Sequence, residues 1–237
     1  MVSSGSQLDT LYRPVINPRN GQVLIYRAIP VLRSEEGDLT GEKQVLEHRG
    51  DAMDTAERNI LFLNRAAIEL DRAHKSGRAV LLVIPISAKA METKESATLM
   101  VGALKRLPDI CSKAAITHFF DLPSRVRLDT LDDMLIPLLV TIDKFLIEPP
   151  DDLDDYTDVA SCNAQGVVID MHMEGRSEAD LTTFWSRAAP RRLGMFVQNV
   201  DDKDLVPAVK RFECMGMDGA AFGDMSPEIG PRDTWDG

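Results

Sequence analysis

The sequence predicts an α/β protein, an irregular (β/α)8 barrel of the TIM-like kind whose first two strands are an antiparallel hairpin. Three observations predict it. Residues 11–33, LYRPVINPRNGQVLIYRAIPVLR, hold two apolar runs flanking Pro18-Arg19-Asn20-Gly21, and Asn-Gly between β-formers is the strongest short-range hairpin signal. After residue 50, segments of helical periodicity alternate with short, near-continuous apolar runs, the pattern of parallel strands covered on both faces. The length of 237 residues suits one barrel. Strands joined by four residues pair antiparallel, which makes the barrel irregular.

Each element follows from local chemistry. Residues 1–9 are short and polar, without the basic start and apolar centre of a signal peptide, and predict a flexible, cytoplasmic N-terminus. Ser34 to Gly50, with Glu35-Glu36-Gly37-Asp38 at its centre, reads as a charged loop with a helical turn. Asp51 to Gly77 is a long helix with Ile60, Leu63, Ala67 and Leu70 on one face and Gly77 at its end. Ala79 to Ser87, AVLLVIPIS, is a strand. Ser96 to Ser112 is a helix bearing Leu99, Ala103, Leu104 and Leu107, and Ala114 to Leu122 a strand. Arg125 to Ile142 is a helix that Pro137 kinks. Lys144 to Ile147 is a strand stopped by Pro149-Pro150. The acids of Asp151 to Asp158 suit a helix N-terminus. Gln165 to Met171 is a strand, and Ser177 caps a helix with Leu181, Trp185 and Ala188 on one face. Leu193 to Val200 is a strand, Asp202 to Met215 a helix and Gly219 to Phe222 the last strand. The barrel domain thus spans residues 10–225, followed by an irregular tail over 226–237.

Composition narrows the function. The formal net charge of −11 argues against a nucleic-acid backbone or an anionic membrane as the main partner. No apolar run approaches the ~18 residues of a membrane span. Cys111, Cys162 and Cys214 are far apart and form no C-x-x-C pair, so they read as reduced thiols rather than a disulfide or zinc framework. His48, His74, His118 and His172 are scattered and read as structural. No Gly-rich phosphate loop or nucleophile elbow is present.

The order of elements, together with local wording, resembles the EAL domain, the cyclic di-GMP phosphodiesterase fold, over about Leu11 to Asp224. Tyr12-Arg13-Pro14-Val15 followed by Asn20-Gly21 is similar to the family's Y-Q-P-I and its turn. Ile84-Pro85-Ile86-Ser87 falls where V-N-x-S is expected, residues 195–201 (MFVQNVD) where A-E-G-V-E is, and residues 214–218 (CMGMD) resemble L-G-C-D. In that family two divalent cations at the barrel mouth activate a water, which needs several oxygen ligands on different strand ends. Position by position, the resemblance implies that these ligands are replaced. Arg27 stands for the signature glutamate, Pro85 for the asparagine, and Val168 for the lysine of K-x-D, with Asp170 kept. Asp121 is the one acid left of E-x-T-E, and Glu148 the one left of D-D-F-G. Gln198 stands for the later glutamate, with Asp201 near the second acid of that motif, and Phe222 stands for the closing glutamine. The ligand-gripping arginine is absent, with Val31 in its place and Arg33 two residues off, which argues against specific cyclic di-GMP binding.

The resulting expectation is a degenerate EAL-like barrel without catalytic residues, metal or cofactor, a pseudoenzyme that regulates bacterial signalling by binding a protein partner. Arg27, Pro85, Ser87, Asp121, Glu148, Val168, Asp170, Gln198, Asp201 and Phe222 mark its vestigial pocket. Arg27 is expected to pair with Asp170 or Glu148 in place of the lost metal. The alternatives are a cyclic di-GMP sensor without hydrolysis, and a weak phosphodiesterase in which Asp121, Glu148, Asp170 and Asp201 serve as substitute ligands. By resemblance, two copies associate through the region of the later strands and helices.

Overall fold

Asn17 and Asn20 build the first turn from their own side chains: Asn17 Oδ1 accepts the Arg19 N–H at 2.9 Å, and Asn20 Oδ1 accepts that of Gln22 at 3.0 Å. Gly21 follows at φ 72°, where a side chain is disfavoured. The turn joins β1 (Gln7–Ile16) to β2 (Gln22–Arg33) in antiparallel register, with Arg13 opposite Arg27 and a bulge at Val15/Ile16. The computed structural model describes residues 7–33, 39–41, 45–46, 50–124, 126–139, 141–173, 176–231 and 233–235. The Glu35-Glu36-Gly37-Asp38 stretch lies outside them. At its edge, β3 (Leu39–Thr40) adds a two-residue antiparallel pairing to β2.

From β2 the sheet runs in parallel through β4 (Leu81–Ser87), β5 (Ala115–Phe120), β6 (Phe145–Ile147), β7 (Gly166–Asp170), β8 (Gly194–Gln198) and β9 (Gly216–Met217). β9 then pairs antiparallel with β1, closing an eight-stranded mixed barrel. Closure removes the sheet edges. The helices are α1 (Ala52–Lys75), α2 (Lys94–Leu104), α3 (Ile110–Ala114), α4 (Leu128–Leu135), α5 (Thr157–Ser161), α6 (Glu178–Ala188) and α7 (Val206–Arg211).

Strand alternation divides the core in two. Val15, Val83, Ile116, Leu146, Val168 and Phe196 fill the barrel interior, while a larger cluster lies between the strands and the helices. α1 starts at Asp51, whose carboxylate accepts the Asp54 N–H, and buries Phe62, Leu63, Ala66, Ala67, Leu70 and Ala73. The expected seam of Leu63, Ala67 and Leu70 lies within that face, and Ile60 is half-buried.

Several elements differ from expectation for identifiable reasons. The helix read over Ser96 to Ser112 is two, α2 and α3, because Pro108 cannot continue the first one. The helix over Arg125 to Ile142 ends at Leu135 and tightens into a 3-10 turn over Ile136–Leu138 at Pro137. That over Asp202 to Met215 shrinks to a 3-10 turn, Lys203–Leu205, and α7. Trp185 on α6 is 42% exposed; Phe184 takes the buried place expected for it, beside Leu181 and Ala188. The last barrel strand is Gly216–Met217, not Gly219 to Phe222, which instead form a turn. The tail is not irregular throughout, since β10 (Asp233–Thr234) pairs antiparallel with the start of β2.

Of the acids after β6, only the last ones serve a helix start: the Thr157 N–H donates to Asp155 Oδ1 at 3.0 Å. α5 begins only at Thr157, with Asp158 its one acid in the first turn. Asp151, Asp154 and Asp155 also meet Arg176 at 2.5 Å, Arg187 at 2.7 Å and Arg191 at 2.9 Å, latching this loop to α6 and its flanks.

Candidate functional site: a polar layer at the barrel mouth

The interior apolar layer fixes what lies above it. One inward position further toward the mouth, two residues along each strand, come Arg13 (β1), Arg27 (β2), Pro85 (β4), His118 (β5), Glu148 just past β6, Asp170 (β7), Gln198 (β8) and Asp218 just past β9. All but Glu148 are buried, and Arg27 is 0% exposed. Two arginines, three acids, a histidine and a glutamine thus share one layer. Burying charge is costly unless it is paired and hydrogen-bonded.

Asn199 is the hub of that pairing. Its Oδ1 accepts from Arg27 at 2.6 Å and from Arg13 at 3.2 Å, while its Nδ2 donates to Asp170 Oδ1 at 2.8 Å. Asp218 Oδ1 accepts from Arg27 at 2.8 Å and from the Asn199 backbone N–H at 3.2 Å, with Arg13 4.0 Å away. Two guanidinium groups and two carboxylates, Asp170 and Asp218, therefore neutralise one another around a single amide. Asn199 sits at φ 56°, a left-handed conformation that asparagine tolerates better than most residues. Gly219, at φ 152°, lets the chain leaving β9 press against β8, since a Cβ there would lie 2.1 Å from the Val200 carbonyl oxygen. That close approach brings Asp218 to Asn199.

The remaining marked positions separate into groups. Ser87 Oγ and Asp121 Oδ2 are 3.0 Å apart, and the Ser87 N–H donates to Asn59 Oδ1 at 3.0 Å, the Asn59 amide being held in turn by Thr55 O at 2.7 Å. Glu148 Oε2 lies 3.4 Å from His118 Nε2, a buried ring read from sequence as merely structural. Asp201 is 46% exposed; it accepts the Ala220 N–H at 2.7 Å and lies 3.9 Å from Arg13 and 3.7 Å from His172. Val168 belongs to the apolar layer below, and Gln198 stands beside Asp170 in the β7–β8 register. Phe222 is not with the polar layer. Its ring packs edge-on against Trp235 at 5.0 Å within the main core cluster.

Arg27 meets Asp218, an acid the sequence reading did not name for it, and Asp170 joins the same network through Asn199. Arg13, Asn199 and Asp218 all lie in stretches matched to the family's wording, but none was marked as a pocket position, and placing the last strand too late kept Asp218 from the mouth. Strand alternation was the signal that could have found Arg13, which faces Arg27 across the hairpin. Among the described residues no three His, Cys, Asp or Glu side chains form a group that could hold a metal ion.

Beside the mouth, a cleft of about 370 Å³ opens between β6, β7 and α6, lined by Glu148, Val168, Ile169, Tyr156 and Phe184. Tyr156 and Phe184 meet edge-to-face at 5.8 Å, and burial holds the Tyr156 phenol above its ordinary pKa. Arg176 and Arg187 line the same cleft while held by Asp151 and Asp154, so the acidic loop forms its outer wall.

A closed mixed barrel opened by an antiparallel hairpin and ringed by helices is the EAL fold, and comparison with solved structures gives the same class. No protein-family model and no curated protein matches the sequence. PaMucR phosphodiesterase, solved as a c-di-GMP complex, superposes with a TM-score of 0.76 at 16% identity over 93% of this chain and 92% of that one. The EAL domain of Mycobacterium smegmatis DcpA gives 0.65 at 18%, over 93% of both chains. The FimX EAL domain from Pseudomonas aeruginosa, bound to c-di-GMP, gives 0.61 at 14%, over 93% of this chain and 91% of that one. Among the described residues no helix is long and apolar enough to cross a membrane.

Proposed function

We propose that this chain is a non-catalytic EAL-fold protein of the cytoplasm that regulates signalling by binding another protein. The observation that carries the reading is the electroneutral network of Arg13, Arg27, Asn199, Asp170 and Asp218. A pair of divalent cations needs oxygen donors whose negative charge is free to meet them. Here the Arg27 guanidinium meets Asp218 directly, and Asp170 is turned toward the Asn199 amide and the His172 N–H. The residues at the mouth do not fit a two-metal centre, because a cation placed there would face two fixed positive charges. Glu148 lies beside His118, and Asp121 beside Ser87. A barrel kept while its mouth is filled from within supports an adaptor over a hydrolase.

Incubation of the chain with cyclic di-GMP and Mg²⁺ or Mn²⁺, followed by chromatography of the products, is expected to release no linear dinucleotide. Turnover that disappears in Asp170→Ala would overturn the proposal. A second reading, binding of cyclic di-GMP without cleavage, is favoured by the neighbours solved with that ligand. Calorimetry with the same nucleotide, without metal, distinguishes it: heat of binding lost in Arg13→Ala supports a sensor, and no heat supports the adaptor.

A further inference from the structure

The cleft between β6, β7 and α6 holds two guanidinium groups that the mouth network does not use. The side chains of Arg176 and Arg187 are 13% and 21% exposed, while those of their partners Asp151 and Asp154 are 65% and 91% exposed. The cations of these pairs are thus the covered members. An arginine offers five N–H donors. Among the described residues Arg176 donates only through Nη2, to Asp151 and to the Met173 sulfur, whereas Arg187 meets Asp154, the Asp151 carbonyl and the Tyr156 phenol. Nε and Nη1 of Arg176 therefore have no hydrogen-bond partner among those residues, in a cleft whose apolar wall is Ile169 and Phe184. Unmet guanidinium donors suit a carboxylate. The same cleft carries negative charge as well, from Glu148 just past β6 and from Asp180, whose two bonds to Ser177 both fall on Oδ2.

We infer that this cleft binds a free α-amino acid with an apolar side chain. Its carboxylate takes the open donors of Arg176, its ammonium is drawn to Glu148 and Asp180, and its side chain lies against Ile169 and Phe184. A simple anion would satisfy the arginine and be repelled by the two acids, and a simple cation would meet the reverse, so the pattern selects a molecule carrying both signs. A volume of about 370 Å³ is at the small end for ligand sites and suits one amino acid rather than a dinucleotide. Asp151 and Asp154 keep their own bonds to the arginines in this arrangement and stay as the outer wall. None of these residues belongs to the Arg13, Arg27 and Asn199 network, so the inference is independent of the function proposed above.

Isothermal titration calorimetry of the full chain with L-leucine, L-methionine and L-phenylalanine tests it. At least one of the three is expected to bind at a single site per chain, with a Kd of about 1 mM or below. N-acetyl-L-leucine lacks the ammonium and isoamylamine lacks the carboxylate, and each should bind at least about tenfold more weakly than L-leucine. Arg176→Gln should weaken binding by about tenfold or more, the loss of hydrogen bonds to a charged group. Because Arg176 also holds the acidic loop, a second variant leaves the ion pairs alone. Thr183 lines the cleft from an exposed position on α6, and Thr183→Trp should fill the space and abolish binding with far-ultraviolet circular dichroism unchanged. Absence of heat with all three amino acids, equal binding of the acetylated or decarboxylated compound, or binding indifferent to Thr183→Trp would each overturn the proposal.

Discussion

Arg27 decides how the mouth is organised, because a fully buried guanidinium must have its charge met inside the protein. Removing one partner of a buried ion pair leaves the other desolvated and uncompensated, which costs about 3–5 kcal/mol. Arg27→Met should therefore lower stability by that order, read as a drop in the urea midpoint. Arg27→Met combined with Asp218→Leu should recover most of the loss, since two well-packed apolar groups can replace a buried pair at little net cost. Equal destabilisation in the single and double variants would mean that Arg27 acts through packing alone. At this scale the sequence was legible in part. Alternation along β2 and the charge reversal put Arg27 at the mouth, but nothing local told which acid it meets. Asp218 lies 191 residues away, and barrel closure, which sets that pairing, is a property of the whole sheet.

Among the elements, the loop from Asp151 to Asp155 shows how charge that reads one way in sequence is used another way in the fold. Acids before a short apolar segment suggest a helix dipole, yet α5 has five residues and little dipole to offer. The arginines of α6 and its flanks recruit the acids instead. The Thr157 hydroxyl first, and then Arg191, hold Asp155 below the ordinary carboxyl pKa; the Ser177 N–H does the same for Asp180 in the α6 capping box. Groups with a depressed folded pKa stabilise above the unfolded value of about 3.9, and that contribution is lost as pH falls through the lower folded value. Amide exchange at Thr157 and Ser177 is therefore expected to stay slow at neutral pH and to accelerate below pH 4, once intrinsic exchange is corrected for. Unchanged protection through that window would show that the latch is held by packing. Element boundaries were legible wherever a proline or a cap marked them, as at Asp51 and Ser177. They failed where tertiary pairing ends a helix early, as in α7.

For the whole molecule, the segment after Ser226 acts as a strap rather than a loose end. Ser226 and Tyr12 exchange backbone hydrogen bonds at 2.7 and 2.9 Å. Ile229 is fully buried, its N–H donating to Glu69 at 3.2 Å and its carbonyl accepting from Arg78. Pro231 O accepts from the Tyr26 hydroxyl at 2.9 Å, β10 extends β2, and the Trp235 N–H reaches Gly21 O at 2.8 Å. The Trp235 ring then packs on Phe222 while Lys210 lies 4.8 Å above it. The strap thus runs from Tyr12, next to the mouth residue Arg13, to the hairpin turn at the other end of the barrel, and ties α1 and α7 to that turn. Pro227, Gly230 and Pro231 made this segment look irregular, because its order comes from distant partners and from no local period. A chain ending at Met225 loses a buried isoleucine and several backbone bonds, together more than about 4 kcal/mol. At about 2–4 °C per kcal/mol for a domain of this size, its melting temperature should fall by roughly 10 °C. The single change Ile229→Ala should produce part of that fall. If the shortened chain melted at the full-length temperature, the barrel would close without the strap, and the contacts of Ile229 and Trp235 would be incidental to stability.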